Sequence, residues 1–113
     1  MHELGLCDAL LKKVKQIAED SELEGVNSVS LEIGTLSGVI PSYMADCWEA
    51  VIDDTPFAET KLFIRSVPGI AQCLDCGVSF EADLEKLVCP VCSSLKLNPV
   101  SGRDMTITEI EGY

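Results

Sequence analysis

The stretch CLDCGVSFEADLEKLVCPVC sets Cys73 and Cys76, then Cys89 and Cys92, as two C-x2-C pairs with twelve residues between them. Each pair turns two sulfurs toward one centre, and two such knuckles joined by a short hairpin complete a tetrahedral all-sulfur site. Gly77 suits a left-handed turn after the first knuckle, and Pro90 stiffens the second. Four thiolates at this spacing predict a structural Zn(II). A rubredoxin-like iron centre is the competing occupant, which a colourless protein rules out. A full set of four cysteines leaves no open position for water, so the ion organises the fold instead of activating a nucleophile.

Outside that module the chain reads in helical and strand periods. Leu4, Cys7, Leu10, Leu11, Val14, Ile17 and Ala18 recur at three- and four-residue steps, which predicts an amphipathic helix over 4–18. Val29, Leu31 and Ile33 alternate with Ser28, Ser30 and Glu32 as in a half-buried strand, and GTLSG follows as a loop. Pro41 and Ser42 start a second helix whose stripe is Met44, Cys47, Trp48, Val51 and Ile52, ended by DDTP. Residues 61–67 and DMTITEIEG read as further strands.

The expected fold is therefore α+β: two helices packed on a small mixed three-stranded sheet, with an inserted zinc-ribbon-like four-cysteine module. Residues 1–68 and 103–113 form one discontinuous domain in this reading, and 69–102 form the module. A chain of 113 residues buries only roughly two-thirds of its unfolded surface, so a metal staple is useful.

Nineteen acidic residues against eight basic ones give a formal charge of −11, which repels nucleic acid and anionic lipid. No apolar run approaches the ~18 residues of a membrane span. The start MHELGLCD has no basic n-region, so the expected location is cytoplasmic, where six cysteines point to metal rather than disulfides.

No Ser/His/Asp set is visible, and the expectation is that the protein is not an enzyme. Cys7 and Cys47 lie on the apolar stripes and read as core residues. A Cys7 nucleophile served by His2 fails on geometry, since five helical residues turn through ~500° and separate the side chains. Asp53 and Asp54 read as a solvated helix end. His2, the single histidine, has two readings. One is an ordinary polar residue at a chain end. The other is a chelate: the Met1 amine, the His2 backbone nitrogen and its Nδ1 close two rings on one ion, with a Glu3 backbone nitrogen or carboxylate as a further donor. Such a tetragonal N/O set favours Ni(II) or Cu(II).

MHELGLC, the segment EIGTLSGV and the two knuckles, in this order and over essentially the whole chain, resemble the HypA/HybF family of hydrogenase maturation nickel metallochaperones. The resemblance implies Ni(II) as cargo, held by His2 with Glu3 contributing a backbone nitrogen. It also implies structural Zn(II) on Cys73, Cys76, Cys89 and Cys92. The implied partners are a HypB-type GTPase and the large-subunit precursor of a [NiFe]-hydrogenase, with the carrier a monomer or weak homodimer. The chain departs from some relatives in having no histidine but His2 and in carrying Ile40 where others have an acidic residue. The alternative of another class is a zinc-ribbon adaptor between proteins.

Leu74, Val78, Phe80, Leu84, Leu87, Leu95 and Leu97 give the module only a thin core. Its folding should follow the metal. Stripping zinc with a chelator is expected to accelerate amide hydrogen exchange across residues 70–102 first; unchanged exchange there would contradict a metal-dependent module.

Overall fold

In the computed structural model, which describes residues 2–113 and leaves the His2 side chain undescribed, helix α1 runs over His2–Asp20 and strand β1 over Val26–Gly34. Helix α2 (Pro41–Ile52) and strand β2 (Lys61–Val67) follow. Strands β3 (Ile70–Cys73), β4 (Ser79–Glu81) and β5 (Leu97–Ser101) come next, and β6 (Met105–Gly112) closes the order. Two three-stranded sheets result, one in the order β2-β1-β6 and one in the order β4-β3-β5. No described helix is long and apolar enough to cross a membrane.

In the larger sheet β1 is central, parallel to β2 and antiparallel to β6. Its Val29, Leu31 and Ile33 are almost wholly buried beneath both helices. The α+β reading with a mixed sheet holds. Parallel pairing of β1 and β2 needs a crossover, which α2 supplies. Trp48 anchors it: the indole is 2% exposed, and Nε1–H donates to the Thr60 carbonyl at 3.0 Å. The Thr60 hydroxyl then donates to the Val26 carbonyl at 2.7 Å. One buried chain of hydrogen bonds thus ties α2, the turn before β2 and β1 together.

The first helix differs from its sequence reading at its start. It begins at His2, not Leu4, and Leu4 is 54% exposed while Glu3 is 5% exposed. Glu3 lies four residues before Cys7, so it occupies the buried face one turn earlier, whereas Leu4 sits ~100° round the helix. Apolarity alone pointed to Leu4; a packed acidic partner decided for Glu3.

The smaller sheet was not visible in the periodicity, because its strands are short and mostly exposed. Of the seven apolar residues expected in its core, Leu74, Leu84, Leu87 and Leu95 are exposed. Ala71, Cys73 and Cys89 are its buried apolar residues. The two sheets make an extended molecule of 54 × 26 × 16 Å with a radius of gyration of 17.3 Å, against about 13 Å for a compact chain of this length.

Where the sheets join, Gly34, Gly69 and Gly102 bring three backbones together. A Cβ on Gly34 would collide with the Gly102 carbonyl, and one on Gly102, at φ +71, would lie 2.8 Å from the Pro68 carbonyl oxygen. The GTLSG loop welds this crossing. The Leu36 N–H donates to the Gly102 carbonyl at 2.8 Å, and the Gly69 N–H donates to the Thr35 hydroxyl at 2.8 Å.

Replacing Trp48 with Phe keeps the ring but strands the buried Thr60 carbonyl. The cost is expected to be about 1–3 kcal/mol, read as a lowered denaturation midpoint with an unchanged slope.

Candidate metal centre

Two turns of the smaller sheet's loops bring the four knuckle cysteines together. The Cys76 N–H donates to the Cys73 sulfur at 3.4 Å, while the Val91 and Cys92 N–H groups donate to the Cys89 sulfur at 3.4 and 3.5 Å. The tightness of C-x2-C is what aims those amides at sulfur. Cys73 meets Cys92 at 3.6 Å and Cys76 meets Cys89 at 3.6 Å, and all four sulfurs lie within 4.8 Å of one another. A tetrahedral ion with ~2.3 Å metal–sulfur bonds holds its ligands ~3.8 Å apart. The four residues fit such an ion, and as thiolates in a closed set they suit zinc.

The protonation pattern is that of a site built for a cation. The Cys76 N–H, with that of Asp75, holds the Cys73 thiol down to about 6. Cys89 is lowered too, its two knuckle amides outweighing the burial that opposes them. Cys92 is pushed up to about 12 although the Ser94 N–H opposes it, because Cys73, burial and Cys89 all disfavour a further charge. Cys76 is raised as well, against the Val78 N–H, by burial and by Cys89. Each close pair therefore couples one lowered thiol with one raised thiol, and a divalent ion is what lets the raised pair ionise.

At the other end of the molecule, Glu3 ties α1 to α2. Its carboxylate accepts the Ile40 N–H at 3.4 Å and also that of its own backbone; the latter is the larger cause of its lowered pKa. Ile40 is the N-cap residue of α2 and offers no side-chain cap. The neighbouring helix thus supplies the negative charge that α2's positive end favours. Cys7 is fully buried, its thiol donating to the Met44 carbonyl at 3.4 Å. Burial pushes the Cys7 thiol up to about 11, with Cys47 and Glu3 adding to the effect. Neither property suits a nucleophile. Cys47 is half-buried against the same core, and Asp53 and Asp54 are exposed at the end of α2. The Met1 amine and the His2 imidazole lie outside the described residues.

The family model for HypA, hydrogenase/urease nickel incorporation metallochaperone, matches residues 1–112. The chain belongs to the HypA family. It is 37% identical over 111 residues to hydrogenase maturation factor HypA 2 of Bradyrhizobium diazoefficiens, covering 98% of each chain. It is 33% identical over 111 residues to hydrogenase maturation factor HypA of a Nostoc species, covering 98% of this chain and 95% of that one. Its fold is similar to the solution structure of the Ni metallochaperone HypA from Helicobacter pylori. The TM-score there is 0.69 at 20% identity, over 97% of this chain and 96% of that one. A second HypA solution structure aligns with the same TM-score at 22% identity, over 100% of this chain and 97% of that one. Membership of HypA places the four-cysteine module and the helical sheet in one metallochaperone architecture. The four cysteines that the sequence reading grouped, Cys73, Cys76, Cys89 and Cys92, do come together in the structure. Sequence reading missed the side-chain role of Glu3, whose only signal was its four-residue spacing before Cys7.

Since the Cys76 and Cys92 thiols are held above their ordinary range, loading zinc at neutral pH is expected to release at least two protons per ion. The affinity should rise with pH as those protons become easier to remove. Release measured with a pH indicator during zinc titration checks both.

Proposed function

We propose that this HypA-family chain carries Ni(II) at its amino terminus and delivers it to the large-subunit precursor of a [NiFe]-hydrogenase, acting with a HypB-type GTPase. Zn(II) on Cys73, Cys76, Cys89 and Cys92 holds the module in shape. In this reading residues 1–68 with 103–113 are the nickel unit and 69–102 the zinc unit. The protein is a cytoplasmic carrier, monomeric or weakly dimeric, and not an enzyme.

The observation that carries this reading is the family match from residue 1, which includes Met1, His2 and Glu3. The helix start supports it chemically. The first four N–H groups of a helix have no intrahelical acceptor, and α1 begins at His2. The backbone nitrogens of His2 and Glu3 therefore have no acceptor in the helix ladder, and the Glu3 N–H is held by its own carboxylate, which metal binding would displace. With the Met1 amine and the His2 imidazole they make the N-donor set that Ni(II) favours. The Glu3 carboxylate is engaged with the Ile40 N–H at α2, so Glu3 contributes its backbone nitrogen and its side chain holds the first turn in place.

The two metals have opposite requirements. A closed tetrathiolate retains its ion, whereas a sparse terminal site passes its ion on by ligand exchange.

In an isothermal titration of the zinc-loaded protein with Ni(II), His2→Ala is expected to weaken binding by at least about 100-fold. Extra residues before Met1 should have a comparable effect. Affinity should also fall as pH drops below about 6.5, where imidazole protonates. Tight nickel binding that survives both changes would overturn the terminal site.

A further inference from the structure

The two edges of the β2-β1-β6 sheet are treated differently. On β6 the pairing with β1 shifts register between Ser30 and Leu31, leaving Thr108 as an extra residue, and Glu109 and Glu111 stand exposed. A bulge and like charges are the usual means of stopping another strand from adding to an edge. The β2 edge has no bulge, and its exposed charges, Lys61 and Arg65, are basic, so they oppose a basic strand and leave an acidic one free to add. It pairs with β1 in unbroken register from Lys61 to Val67, contains no proline, and is the outermost strand in the sheet order.

Its two sides also differ. Toward the helices, Trp48, Ile52 and Leu62 line a cleft of about 380 Å³ between α2 and the strand, with Glu49 and Glu59 at its rim. Lys61 and Phe63 also border this cleft, while strand alternation turns their side chains, with that of Arg65, toward the opposite face, where all three are exposed, Phe63 by 55%. Arg65 pairs with Glu32. Lys61 has no carboxylate partner among the described residues, although acidic residues outnumber basic ones by 19 to 8 in the chain.

We infer that the β2 edge is a docking site for an extended segment of a partner protein, added as a fourth strand, with apolar side chains toward the α2 cleft and carboxylates beside Lys61 and Arg65. Backbone pairing supplies the attachment and the alternating side chains supply selection. The charges fix which face is which, because carboxylates turned toward the cleft would meet Glu49 and Glu59. They also disfavour a second copy, whose β2 would set Lys61 and Arg65 against the same cations across an interface between two molecules of charge −11.

The test uses the zinc-loaded full chain in a nitrogen-15 NMR titration with a blocked peptide of β2's length that alternates valine and glutamate. At millimolar peptide the amides of Lys61–Val67 and the Trp48 indole N–H should shift, and exchange along β2 should slow. A valine and lysine counterpart should bind at least about tenfold more weakly. The double variant Lys61→Glu with Arg65→Glu should lose about tenfold for the acidic peptide while its β1 and β6 amides keep their protection, which shows that the sheet is intact. The inference is overturned by shifts centred on β6, by no shift at all, or by equal binding of the two peptides. Protection of β2 that grows with protein concentration alone would instead assign the edge to a second copy.

Discussion

Three backbone segments cross at Gly34, Gly69 and Gly102 with no room for a side chain between them, and both halves of the molecule take their positions from that crossing. The chain leaves the larger sheet after β2 and returns before β6 through the same point. Leu36 and Thr35 pin it there with hydrogen bonds. The loop that does the pinning leads directly into α2, whose N-cap residue Ile40 donates its N–H to the Glu3 carboxylate of α1. The segment GTLSG is therefore the joint between the sheets: close approach requires its first glycine, Gly34, and the Thr35 hydroxyl accepts the Gly69 N–H.

Charge governs the two ends of the molecule in opposite ways. The four sulfurs are crowded enough that their thiols ionise unequally, so the module has few apolar contacts and a strong demand for a cation. At the amino end, the carboxylate of Glu3 already has its partners in backbone N–H groups.

Both helices, the three strands of the larger sheet and the four-cysteine cluster were legible in the sequence. Their signals are periodicity over many residues, or a spacing that only one geometry satisfies. The strands β3 to β5 were not legible, because three to five residues with mostly exposed side chains leave no alternating pattern. The start of α1 was misjudged for a related reason. Helical phase is read from apolar residues, whereas the buried Glu3 accepts a hydrogen bond from Ile40, 37 residues away. The contrast between the two sheet edges was likewise hidden, since a register shift exists only between strands.

The four-cysteine module also changes the order in which the larger sheet can be completed. β6 pairs with β1 across an intervening stretch that a flexible chain would have to close at an entropic cost. Once a metal has folded that stretch, Ile70 and Ser101 are partners in one short sheet, and the ends that lead into β2 and β6 are already side by side. The ion then acts at a distance as a topological clasp. It shortens the effective loop, so that the β2-β1-β6 sheet closes more readily around a module that is already folded.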